Sequence, residues 1–244
     1  MKTRIAVLLL MLAGIFLSAC ESTQFLEELN GVIGTENTLS NERVVAGLKQ
    51  DLEKGAELAS SRASAENGFY GNALLKIPFP EEAIKVKNTA LDLGLNSQVE
   101  NFERTMNRAA EQAAGKAVPI FMDAIRGMSI QDGFKILNGS DNEATQYLRS
   151  KTGEKLYQEF FPVVQNAIEA VNLTSLWEPL ATAYNTASIF TGSNAVDPDL
   201  NAYVTNKAID GLFVHVAAEE KRIRENPEAR VTDLLKEVFG SLDK

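Results

Sequence analysis

Helical periodicity constrains this chain more than any other feature. From Ser40 onward almost every segment repeats apolar residues at intervals of three and four. No run alternates with period two and β-branched enrichment, so strands are not expected. Val44, Leu48, Leu52, Ala56, Ala59 and Ala63 line one stripe and predict a helix over 40–64. The next stretch, 65–79, holds Gly68, Gly71, Pro78 and the aromatics Phe69, Tyr70 and Phe79. It reads as a packed loop.

Helix punctuation divides the remainder. Pro80 with Glu81 and Glu82 opens a helix that stops at Gly94, proline being preset for a first turn and carboxylates suiting its dipole. Ser97 with Glu100, Ser129 with Asp132 and Ser140 with Glu143 read as three capping boxes, opening helices over 98–116, 130–137 and 141–152. Aspartate makes the weaker box, because its shorter side chain reaches back less well. Pro119 is expected to break or kink the first of these before 120–128 continues, and Asn138-Gly139 to stop the second. Further helices are expected over 154–171, with a kink at Pro162, and over 174–187. A loop over 188–197 precedes a long helix capped by Asp197, started by Pro198 and running to about Asn226. Asn226-Pro227 then opens a last helix ending at Gly240. The expected fold is all-α, one domain over 40–240 with about eight to ten helices, and without a fixed repeat.

The first residues read as an address. Lys2 and Arg4 precede an apolar run from Ile5 to Leu17, a secretory leader rather than a membrane span, which needs about 20 apolar residues. The leader closes on Leu17-Ser18-Ala19-Cys20, which resembles the bacterial lipobox. That resemblance implies a signal peptide over 1–19, cut before Cys20, and a lipoprotein acylated (palmitate among the acyl chains) on the Cys20 thiol and new amine. Several acyl chains, at about 0.8 kcal/mol per buried CH₂, hold a protein on a membrane without a spanning helix. Residues 20–39 read as the lipidated Cys and a tether, at full extension reaching about 60 Å at about 3.3 Å per residue. Glu21, where inner-membrane lipoproteins usually resemble Cys-Asp, points to the outer membrane, facing the periplasm.

Several segments together resemble an uncharacterised bacterial family, domain of unknown function 4197. They include Ala46-Gly47-Leu48-Lys49, Ile77-Pro78-Phe79-Pro80 and Phe102-Glu103-Arg104-Thr105-Met106-Asn107-Arg108-Ala109-Ala110. Lys207-Ala208-Ile209-Asp210-Gly211-Leu212-Phe213 and Thr232-Asp233-Leu234-Leu235-Lys236 extend the likeness across about 40–240. The resemblance implies a helical envelope protein, often exported or lipid-anchored, and carries over no catalytic residues.

Composition narrows the chemistry. Against 24 Lys and Arg stand 33 Asp and Glu, a net charge of −9, which disfavours nucleic acid as a partner. The lone Cys leaves no internal disulfide and the lone His no His-rich metal site. Walker A, GxGxxG, HExxH, CxxC and GxSxG patterns are missing, so no cofactor, metal or catalytic residue is expected. Asp197 and Asp199 flank Pro198 and read as helix-capping residues rather than a Ca²⁺ pair.

The most unusual segment is Ala208–Ala218, apolar around the whole helix except at Asp210 and His215. Such a helix is expected to be central, with Asp210 partly buried and in need of a partner. Lys207 is the local candidate; Arg104 and Arg108 are the distant ones, with an Asp210–Arg108 contact expected. Gly211 would admit a close neighbour. His215 points about 140° away from Asp210, so a shared catalytic face is disfavoured against a buried polar cluster of Arg104, Arg108, Lys207, Asp210 and His215. Alanines 109, 110, 113, 114 and 117 predict close helix packing. Phe160, Phe161, Trp177, Tyr184 and Phe190 predict core aromatics or a groove for an apolar ligand. The functional expectation is a non-enzymatic interaction protein of the envelope, partnered by the membrane through its anchor and by an envelope protein. The alternative is a carrier or sensor of lipids or other apolar ligands, and a third reading is a carboxylate-based hydrolase.

Overall fold

The computed structural model describes residues 40–81, 84–92, 94–170, 182, 185, 186, 189 and 199–226. The chain divides into two units, Met1–Ser40 and Asn41–Lys244, and every helix described belongs to the second. The leader, Cys20, the tether, Trp177, Tyr184, Phe190, Asp197, Pro198 and the last expected helix lie outside the described residues.

The described residues form seven α-helices and no strand: α1 Asn41–Ser64, α2 Ile84–Asp92, α3 Asn96–Ala114, α4 Ala117–Arg126, α5 Ile130–Leu137, α6 Glu143–Ala170 and α7 Leu200–Glu225. The all-α expectation holds, whereas a count of eight to ten is not supported. None of these helices is long and apolar enough to cross a membrane.

One difference in count has a clear cause. The helices expected over 141–152 and 154–171 are a single helix, α6, passing straight through Gly153. Ala144, Leu148, Thr152, Leu156, Phe160, Val164 and Ile168 are all buried along it, so an unbroken stripe of core contacts outweighs the cost of one glycine, about 1 kcal/mol. Pro162 also lies inside α6, with its ring side exposed.

Helix starts depart from expectation in instructive ways. Ser97 sits inside α3, whose N-cap is Leu95 without a side-chain bond. Ser129 and Asp132 do form the reciprocal box, each accepting from the other's backbone N–H at 3.1 Å. Pro119 neither breaks nor ends a helix. It is the third residue of α4, where its missing N–H is one that no helix satisfies, and the break falls at Gly115-Lys116. The cap of α7 is Asp199, whose carboxylate accepts from Asn201 and Ala202 N–H at 3.0 and 3.2 Å. Behind α2, Gly94 adopts φ +80, a left-handed conformation that glycine takes without a Cβ clash.

Helices α6 and α7 run antiparallel, Ala144 meeting Glu220 and Arg149 meeting Asp210. Helix α7 also packs on α1 and α3, and α6 on α3, α4 and α5. On α3 the alanines 109, 110, 113 and 114, with Ala117 of α4, have no exposed surface, as the small-residue stripe predicts. Side chains this small let backbones approach closely. Phe121 and Phe213 meet edge-on at 5.7 Å, while Phe79 stacks on Phe102 at 4.4 Å.

The loop over 65–80 is part of this core. Phe69, Leu75, Ile77 and Phe79 are buried although no regular element holds them. The phenyl ring of Phe69 occupies the space a side chain at Gly211 would need, so the close neighbour expected at Gly211 is this loop.

Candidate functional site

The five residues expected to form a buried polar cluster do not converge. Asp210 is exposed, its side chain 61% accessible, and accepts from Arg149 at 2.8 Å. Arg149 also lies 4.4 Å over the Phe213 ring. Helix α7 turns Lys207, Asp210, Val214 and Ala218 to solvent, so Ala208–Ala218 is not covered all round. Apolar Val214, 48% exposed, and Ala218 conceal that strip from a reading of periodicity alone.

The expected Asp210–Arg108 contact is replaced by others. Arg108 binds Glu66 and Glu111, each at 2.7 Å. Arg104 binds Glu100 at 2.5 Å and faces the Tyr70 ring at 5.0 Å. Lys207 lies 5.8 Å over the Tyr203 ring. His215 is half-buried, as Arg108 is, and its Nε2 is enclosed and without a hydrogen-bond partner among the described residues.

The polar groups that the fold does bury are others. Glu103, Asn107 and Glu111 follow one another at intervals of four along the inner side of α3. Asn107 clamps the loop at Ile77, accepting from its N–H at 2.8 Å and donating to its carbonyl at 2.9 Å. Glu111 accepts the N–H groups of Phe69 and Tyr70 at 3.1 and 3.2 Å. Lys87 and Lys76 reach Glu103 at 2.5 and 3.1 Å. Burial works against ionisation of Glu103, but these two lysines outweigh it and hold the carboxyl below its ordinary range.

On α7 the buried pair is Glu219 and Glu220. Glu219 is held by Arg62 of α1 and by Arg222 at 2.8 Å. Glu220 reaches the start of α6, accepting Ala144 N–H at 3.0 Å and Thr145 N–H at 2.8 Å, with the Thr145 hydroxyl at 2.7 Å. It is thus a helix cap supplied by another helix, and it sits where the helix dipole favours an anion. The Ser140 hydroxyl instead meets Glu143 at 3.2 Å, one turn outside α6, so the third expected box does not cap that helix.

The sequence does carry a signal for these residues. The interval-of-four spacing of 103, 107 and 111 adjoins buried Phe102, Met106 and Ala110. Glu219 and Glu220 lie three and four positions after buried Val216, on the same side of α7. Taking charge as a surface property hides them.

Asp51, Glu219 and Glu220 line a cavity of about 30 Å³ with Leu148, Val216 and Arg224. That volume suits a water or two and not an acyl chain. An open groove between α3 and α6 has Arg104 and Arg108 on one wall and Val163 and Asn166 on the other. Phe160 is buried and Phe161 half-buried.

A family model described as "Protein of unknown function (DUF4197)" matches residues 38–240. No curated protein and no solved structure matches the chain.

Proposed function

The chain belongs to the family described as protein of unknown function (DUF4197), and on that premise we propose that it is a lipid-anchored envelope protein whose helical body works by binding rather than catalysis. The anchor part rests on Leu17-Ser18-Ala19-Cys20, which places the chain's one thiol where a lipobox needs it. Acylated Cys20 docks the protein on a membrane without help from basic residues, which suits a chain of net charge −9. Glu21 favours the outer membrane and a periplasm-facing body.

One observation carries the binding part: four buried carboxylates, those of Glu103, Glu111, Glu219 and Glu220, are engaged in holding the fold. Glu103 is tied to two lysines, Glu111 to two loop N–H groups, Glu219 to two arginines and Glu220 to the start of α6. Groups locked in this way hold a rigid body whose outer faces meet a partner. The cavity beside Glu219 and Glu220 is sized for water, and the larger hollows among the described residues are open to solvent.

Feeding cells an alkyne-bearing fatty acid and comparing the natural chain with Cys20→Ser tests the anchor. The label is expected on the natural chain and lost in the variant; an unlabelled natural chain defeats the proposal. Crosslinking in intact cells, followed by native mass spectrometry of the full chain, tests the binding part. A reproducible crosslinked envelope protein is expected. A lipid-sized mass adduct without any crosslinked protein would replace this reading by the carrier.

A further inference from the structure

His215 is half-buried on α7, the helix that packs on α1, and feels the charge of Arg62 from α1. Glu219 follows it by four positions on the same helix side, so their Cβ atoms are neighbours, about 5–6 Å apart in such geometry. The Glu219 side chain is 2% exposed, and its two oxygens are taken by Arg62 and Arg222. Arg222 belongs to α7 itself, so of these two only Arg62 ties Glu219 to α1. The Arg62 side chain is 47% exposed and can return to water.

We propose that His215 is a proton-triggered competitor for the Glu219 carboxylate, and that its protonation releases the Arg62 tie between the end of α1 and α7. The enclosed Nε2 makes no hydrogen bond among the described residues, and the Glu219 carboxylate belongs to the residue one helical turn further along α7. A proton there would place three cations around one carboxylate. Charge balance then expels the cation with most access to water and a place on another helix, which is Arg62. The loop carrying Phe69 starts just past Arg62 and Ser64, so the end of α1 and the loop loosen together.

The charged groups around the ring are Arg62 from α1 and, from α7, Glu219 with Arg222 behind it. Helices α3 and α6 also pack on α7, but Glu111 of α3 is turned to the loop N–H groups and Arg149 of α6 to Asp210. Burial holds the imidazole below its ordinary value of 6.5, with Arg62 adding to the effect and Glu219 opposing it. The neutral form, and the stability tied to it, is therefore complete above that value. It is lost as pH falls through the lowered one.

The chain has one histidine, so isotope-labelled histidine in the full-length protein gives the resonances of a single imidazole to titrate. Amide exchange over 58–70, corrected for intrinsic pH dependence, is followed on the same samples. Exchange there is expected to quicken about tenfold through the imidazole midpoint. His215→Gln should remove that step. Arg62→Gln, which keeps the histidine, should raise the midpoint by taking away a repelling cation and freeing Glu219. Exchange that ignores the midpoint, or a midpoint unmoved or lowered in Arg62→Gln, overturns the proposal. Since Arg62→Gln is read on the imidazole itself, the test stands even where His215→Gln folds poorly.

Discussion

Gly211 and Phe69 share one space: the ring of a loop residue lies where the side chain of a helix residue would otherwise be. This contact joins the irregular segment over 65–80 to the middle of α7. Burying a phenylalanine in this way contributes about 1.5–3 kcal/mol, and here a hydrogen on Gly211 makes it feasible.

Gly211→Ala should therefore destabilise the protein by about 1–3 kcal/mol from overpacking, although alanine is the better helix former by about 1 kcal/mol. Urea unfolding followed by circular dichroism decides it. A variant as stable as the natural chain would mean that the ring can move aside.

Glu220→Ala removes the cap that α7 lends to α6. It leaves the Ala144 and Thr145 N–H groups and the Arg224 guanidinium short of a buried acceptor. The expected loss is about 3–5 kcal/mol, the range for breaking a buried charged network. Ser140→Ala, at the position expected from sequence to cap α6, should cost less than about 0.5 kcal/mol. Equal losses in the two variants would refute the assignment.

Glu103 should give stability a measurable acid dependence. Its carboxyl is held below the ordinary value of 4.5 in the folded state. The stabilisation is then complete above that value and disappears as pH falls through the lowered one. Glu103→Gln should flatten this part of the curve while leaving the neutral-pH slope unchanged. Parallel curves for the two proteins would remove the lysine pair as its cause.

Gly153→Ala should act in the opposite direction. A Cβ at this position would meet nothing within 4 Å, and the residue sits well inside α6. A gain of about 0.5–1 kcal/mol is expected from the lower entropy of the unfolded chain. Thermal unfolding measures it, and a loss would show that the helix needs flexibility there.

The stripes of α1 and α3, the packed character of the 65–79 loop and the Ser129–Asp132 cap are legible in the sequence, since each depends on residues close along the chain. The pairing of the polar groups is not. Asp210 pairs with Arg149 across 61 positions, and nothing local distinguishes Arg149 from Arg104 or Arg108 as its partner. Likewise, Ser140 has the right spacing to cap α6, but Glu220 reaches those N–H groups from 75 positions away.

Sequence by itself determined the helical class, the extents of α1 and α5 and the family, because apolar spacing and capping chemistry act over one or two turns. Only the tertiary structure decided which charges are buried and which carboxylate each arginine meets. Burying a charge is costly unless another element delivers its counter-charge and hydrogen bonds. That delivery is a property of how α1, α3, α6 and α7 pack, and no single segment carries it.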